Sequence, residues 1–202
     1  MQMSGQRTLP VPPQQTWDAL NDPEMLKACI PGCESIVATE PNRYELVMAA
    51  RVGPVAARFK GRLSQSDVVE PESYRIEFDG QGGAAGFGKG AATVRLTPVE
   101  SGTLLDYDVS ATIGGKLAQI GSRLVDGAAR KIADDFFATF ETTLRERAAA
   151  AQPVAPPAGA EAARVGPTDA GSAPAQAPGG SRRIMWAIAA VGAVVVVYLL
   201  AR

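Results

Sequence analysis

The chain has 202 residues, 46% of them hydrophobic, with 20 basic against 21 acidic side chains and a net charge of −1 at pH 7. That length holds one ordinary domain plus extras, the apolar fraction is ample for a core, and the balanced charge excludes a nucleic-acid electrostatic footprint. There is no histidine, which removes the commonest general base and the commonest transition-metal ligand.

The opening MQMSGQRTLP lacks the apolar core of a signal peptide, so the first domain is expected in the cytoplasm with reduced cysteines. VPPQQTWDAL and DPEMLKA read as two short helices, each with proline at its opening. KACIPGCES then brings Cys29 and Cys33 around a Pro31-Gly32 turn. Two cysteines without histidine cannot complete a tetrahedral zinc site, and the spacing is wrong for a CxxC redox pair. Buried structural thiols are the expected reading, ahead of a redox switch.

Strict apolar–polar alternation follows. Tyr44, Leu46, Met48 and Ala50 alternate with Glu45 and Arg51; Val55, Ala57, Phe59 and Leu63 with Arg58, Lys60 and Arg62. Tyr74, Ile76 and Phe78 alternate with Arg75, Glu77 and Asp79, and the pattern continues through Val94, Leu96, Leu105, Tyr107 and Val109. Period two over successive short segments predicts an antiparallel sheet with one wet face. Between these strands, GAAGFGKG (83–90) nearly spells a phosphate-binding loop. It has Gly90 where a Ser or Thr magnesium ligand belongs, and a strand follows instead of a helix. Two readings stay open: a glycine-rich rim with Phe87 as a movable plug and Lys89 as a polar contact, or a plain hairpin connection.

GGKLAQIGSRLVDGAARKIADDFF (114–137) has the charge periodicity of a helix, yet carries Gly114, Gly115, Gly121 and Gly127. Interior glycine costs a helix roughly 1 kcal/mol relative to alanine. Lys116, Arg123, Arg130, Asp134, Glu141 and Arg145 share one side; Leu117, Ile120, Leu124, Ala128, Ile132, Phe136, Phe140 and Leu144 form a broad apolar side. A strongly bent sheet wrapped around this helix accounts for the order of elements, with the glycines allowing close backbone approach or leaving volume open. Asp106 and Asp108 share a strand face that reads as solvated, and Asp134 and Asp135 lie on the helix. No nucleophile–base set emerges, and catalytic residues are not expected.

Residues 151–181 are mostly Ala, Pro and Gly, a composition that reads as a flexible linker with a mean span of roughly 30 Å. In 182–202, the stretch from Ile184 to Ala201 carries no charge, and at 1.5 Å per residue it gives about 27 Å of helix, just enough to span a bilayer core. Trp186 and Tyr198 sit near its ends, with Arg182 and Arg183 before it and Arg202 after it. The expectation is one C-terminal transmembrane anchor with its N-terminal side in the cytoplasm, in preference to a buried core helix.

KACIPGCES, VGPVAARFKGRL, GGAAGFGKGAATVRL and GGKLAQIGSRLVDGAARKIADDFF, in this order, resemble the G-subunit family of carbon monoxide dehydrogenase, within the START-like (SRPBCC) helix-grip superfamily. The resemblance covers roughly Met3 to Arg147. It implies an α+β helix-grip domain over 1–150, with a seven-stranded antiparallel sheet wrapping a long C-terminal helix around a hydrophobic tunnel. It also implies association with a molybdenum-containing carbon monoxide dehydrogenase or related hydroxylase, membrane recruitment of that enzyme, and carriage of a respiratory quinone. No metal and no cofactor of the chain's own is implied. Gly83–Gly90 and Gly114–Gly115 transfer as cavity borders. The candidate lining is Met48, Phe59, Phe78, Phe87, Tyr107, Leu117, Ile120, Gly121 and Leu124. The expected location is the inner membrane, single-pass, with the soluble domain cytoplasmic. A purely structural recruitment anchor is the alternative function. An enzyme acting on an apolar substrate would need inward polar groups, for which Tyr44, Tyr74 and Tyr107 serve equally well as core.

Overall fold

A computed structural model of the chain describes residues 2–151. The linker and membrane-anchor expectations for 151–181 and 182–202 lie outside the described residues, apart from Ala151 itself. The elements run β1 (Gln2–Leu9), α1 (Pro13–Leu20), α2 (Pro23–Cys29), β2 (Cys33–Glu40), β3 (Arg43–Val52), β4 (Val55–Val69) and β5 (Ser73–Gln81). A 3₁₀ turn (Gly83–Ala85) leads to β6 (Phe87–Val99), β7 (Gly102–Gly114), α3 (Lys116–Gln119) and α4 (Ser122–Ala151). One seven-stranded antiparallel sheet has the order β1-β7-β6-β5-β4-β3-β2. The two proline-opened helices and the alternating strands thus fall where the sequence pattern puts them. β4 and β6 are longer than their alternating cores, because their outer ends are held by hairpin pairing more than by burial.

The buried face of the sheet carries Tyr44, Leu46, Met48, Phe59, Leu63, Ile76, Phe78, Val94 and Tyr107. α4 lays Val125, Ala129, Ala133, Phe136, Phe137, Phe140 and Leu144 against the core. Phe136 and Phe140 stack with ring centroids 5.4 Å apart, and Tyr107 of β7 stacks on Phe137 at 5.6 Å. Arg7 of β1 fastens this seam from outside: its guanidinium pairs with Asp134 and lies 5.5 Å from the centre of the Phe137 ring. At the other end of α4, Arg147 pairs with Asp22 at 2.7 Å, tying the helix to the start of α2.

The helix does not run unbroken from Gly114. β7 extends through Gly114, α3 is a single turn, and Gly121 interrupts the path at φ +92° before α4 begins. Within α4 itself, the inward side is not the one the four-residue spacing marks. Val125 is buried while Leu124, placed on the apolar stripe by its spacing, is 57% exposed. Ala128 and Ile132 are only half-buried. Each step of four overshoots the 3.6-residue turn by about 40°, so the apolar stripe drifts away from the sheet toward the N-terminus of α4.

Candidate functional site

The site borders are built from glycines that touch. Gly86, at φ +120°, lies so close to the end of β7 that a Cβ on it would fall 2.0 Å from the Gly114 carbonyl oxygen. Gly115, at φ +80°, would place a Cβ 2.5 Å from the Gly86 Cα. Only glycine meets both the positive φ and the close approach. The 3₁₀ turn therefore packs against the entry to α3, and both cavity borders named from sequence come together at one end of the domain. The connection at 83–86 leads into a strand, as its alternation requires, and Lys89 is exposed on it.

The aromatic side chains named as lining sit on glycines across the sheet. A Cβ on Gly82 would meet the Phe59 ring at 2.1 Å, one on Gly90 the Phe78 ring at 2.6 Å, and one on Gly114 the Phe87 ring at 2.2 Å. Each ring fills the space that a neighbouring side chain leaves empty. Phe87 is half-buried. Met48, Ile76, Val94, Ala129 and Phe136 expose nothing, and Phe59 exposes 1%. A hollow large enough for water would leave its walls accessible to a water-sized sphere. These central side chains close the middle of the described residues, and no open tunnel passes between them.

Space opens instead at the joint between α3 and α4. A pocket of about 280 Å³ is lined by Ala111, Thr112, Ile113, Leu117, Ala118, Gly121, Ser122 and Val125. It lies near the low end of volumes typical for small-molecule sites. Leu117 and Gly121 of the expected lining are here, and Ile120, half-buried, is beside them. Met48, Phe59, Phe78 and Tyr107 belong to the core, and Leu124 points outward at the same end as the pocket. Ala111, Ile113, Ala118 and Val125 were not singled out from sequence. Val125 was legible in principle, since Val125, Ala129, Ala133 and Phe136 form a second stripe at helical spacing.

Larger grooves lie elsewhere, on the charged outer face of the sheet and beside α1, where the charged Asp18, Asp22 and Arg147 interrupt a mostly apolar lining. One of about 920 Å³ crosses the outer face of the sheet, where Arg43 pairs with Glu40 at 2.9 Å and Arg62 with Glu45 at 3.3 Å. Another, of about 740 Å³, lies between α1 and the C-terminal end of α4.

Little in the described residues supplies chemistry. Burial pushes the thiols of Cys29 and Cys33 up from their ordinary value, which disfavours the reactive thiolate. Burial also pushes the Tyr44 phenol up to about 12 and raises that of Tyr107. Asp134 is paired with Arg7, and Asp135 with Lys131 at 2.8 Å. Among the described residues, no three His, Cys, Asp or Glu side chains gather as a metal site. No helix among them is long and apolar enough to cross a membrane.

A family model for the carbon monoxide dehydrogenase G-subunit (CoxG) matches residues 5–145. Among solved structures, a conserved protein from Geobacillus kaustophilus is 28% identical, with a TM-score of 0.68 over 72% of this chain and 96% of that one. A Thermus thermophilus protein is 19% identical, with a TM-score of 0.57 over 75% of this chain and 100% of its own. A Rhodobacter sphaeroides protein is 19% identical, with a TM-score of 0.54 over 72% and 93%. The last two share the fold alone. No protein of curated function matches the chain.

Proposed function

The chain belongs to the CoxG family of carbon monoxide dehydrogenase G-subunits, and from that premise we propose that it is a non-catalytic accessory protein of a molybdenum-containing dehydrogenase. It binds an apolar molecule, a respiratory quinone, and links the enzyme to the inner membrane through a C-terminal anchor, with the folded domain on the cytoplasmic side. The observation that carries the binding step is the apolar pocket at the glycine-broken joint of α3 and α4, with Leu124 57% exposed at the same end. The pocket takes the quinone ring, and the isoprenoid tail lies outward over Leu124. Each Å² of apolar tail covered contributes about 25 cal/mol. The filled centre of the domain keeps the guest at this end. Tethering raises the effective concentration of the site near both lipid and docked enzyme.

A second reading, recruitment of the enzyme without a guest, is favoured by that same filled centre. Ala118→Trp separates the two. Ala118 is exposed yet lines the pocket, so tryptophan blocks it without disturbing the core. The carrier reading expects enzyme docking to survive while electron delivery to the quinone pool falls. Unchanged delivery with docking intact favours the anchor.

A further inference from the structure

The two ends of the domain differ in charge and in apolar exposure. The joint end holds the 3₁₀ turn, α3 and the start of α4. Exposed Leu124 and half-buried Phe87 and Ile120 lie there beside exposed Lys89, Lys116 and Arg123. None of these three cations belongs to any ion pair among the described residues. Asp79 is bonded by the Gln81 amide at 3.1 Å, and Asp126 on the first turns of α4 is half-buried with an interaction of its own. At the opposite end, the end of β4 and the tips after β4 and β6 carry Asp67, Glu70, Glu72 and Glu100, while Arg43, Arg75 and Arg95 lie on the strands that lead to them, Arg43 paired with Glu40 and Arg75 with Glu77. α4 finishes at that end, where Arg147 reaches Asp22.

From this polarity we infer that the joint end is a membrane-docking surface: Phe87, Ile120 and Leu124 enter the interface of an anionic bilayer while Lys89, Lys116 and Arg123 meet its headgroups. The inference rests on the tail-anchored carrier reading above. Apolar residues ringed by cations fit such a surface, and each cation near it strengthens attraction about fivefold. The acidic hairpin tips are repelled by the same lipid, which fixes the orientation. Chain length is compatible with this arrangement. The 30 residues of α4 put the joint about 45 Å from Ala151. The 30 residues 152–181 reach at most about 100 Å, enough to return the joint end to the bilayer that holds the tail. The pocket then opens onto lipid, and a quinone passes between them without crossing water.

The test is hydrogen–deuterium exchange on the full chain in vesicles rich in phosphatidylglycerol, compared with vesicles of pure phosphatidylcholine. Exchange in 83–87 and 116–124 is expected to slow about fivefold or more on the anionic vesicles, with 67–72 unchanged. Lys116→Glu combined with Arg123→Glu, both at exposed positions, abolishes that difference, and Leu124→Asp reduces it. Deleting 156–175 leaves ten linker residues with a reach of about 35 Å, too short, so protection is lost while the tail still holds the protein in the vesicle. Equal exchange on both lipids overturns the inference, as does protection at 67–72 or protection appearing only when the dehydrogenase is added. Quinone content of the same preparation is read separately by mass spectrometry. Protection without quinone keeps this surface and removes the carrier reading; quinone without protection does the reverse.

Discussion

Alanine at Gly121 and at Gly127 is expected to act in opposite directions, although the two glycines lie within one apparent helical repeat. Neither is packed: a Cβ at either position meets no heavy atom within 4 Å. Steric room is therefore controlled, and the backbone alone decides the outcome. Gly127 lies inside α4, so alanine relieves the helix-propensity penalty and stabilises by about 1 kcal/mol. Gly121 sits at φ +92°, where an L side chain costs about 1–2 kcal/mol. For a folded domain of this size the entropy of unfolding converts 1 kcal/mol to roughly 3 °C. Thermal unfolding followed by circular dichroism should place Gly127→Ala about 3 °C above the parent and Gly121→Ala about 3–6 °C below it. If both substitutions raise the melting temperature, the helix runs continuously through residue 121. The joint, and the pocket that depends on it, would then be refuted.

Three further outcomes follow from the packing. Phe136→Ala removes a ring that exposes nothing and stacks on Phe140, and urea unfolding should show a loss of about 3–5 kcal/mol. Gly90→Ala puts a Cβ 2.1 Å from the Ser110 carbonyl oxygen and 2.6 Å from the Phe78 ring. It should cost about 1–3 kcal/mol, and a neutral result would mean the interior has room that the closed core denies. The Tyr44 phenol, raised to about 12 by burial, binds its proton more tightly folded than unfolded. Its contribution is therefore whole below pH 10 or so and is lost as pH rises toward 12. Tyr44→Phe should flatten the alkaline fall in stability across that window by on the order of 2 kcal/mol.

The sheet was the legible part of the sequence. Alternation such as Tyr44-Glu45-Leu46 or Tyr74-Arg75-Ile76 reports directly which side faces the core, because one face of an antiparallel sheet is wet. The glycines were misleading for a physical reason. Their composition permits both a helical and a left-handed backbone, and only the fold decides which each adopts. Thus Gly114 ended a strand, Gly121 broke the helix, and Gly127 remained helical. Leu124 lies on the apolar stripe by its spacing and yet points out, because each step of four residues turns about 40° past a full helical turn, and three such steps from Phe136 carry the stripe off the sheet. The filling of the interior was likewise hidden. It depends on Phe59, Phe78 and Phe87 lying over Gly82, Gly90 and Gly114, and those contacts are set by strand register and ring orientation rather than by local pattern.

The proposed function stands or falls on whether the domain holds a guest. Native mass spectrometry of the full chain, released gently from bacterial membranes, measures this directly. The account predicts a bound quinone on the wild-type protein that is absent from the Ala118→Trp variant. Empty wild-type protein, prepared under conditions that keep the domain folded, would contradict it.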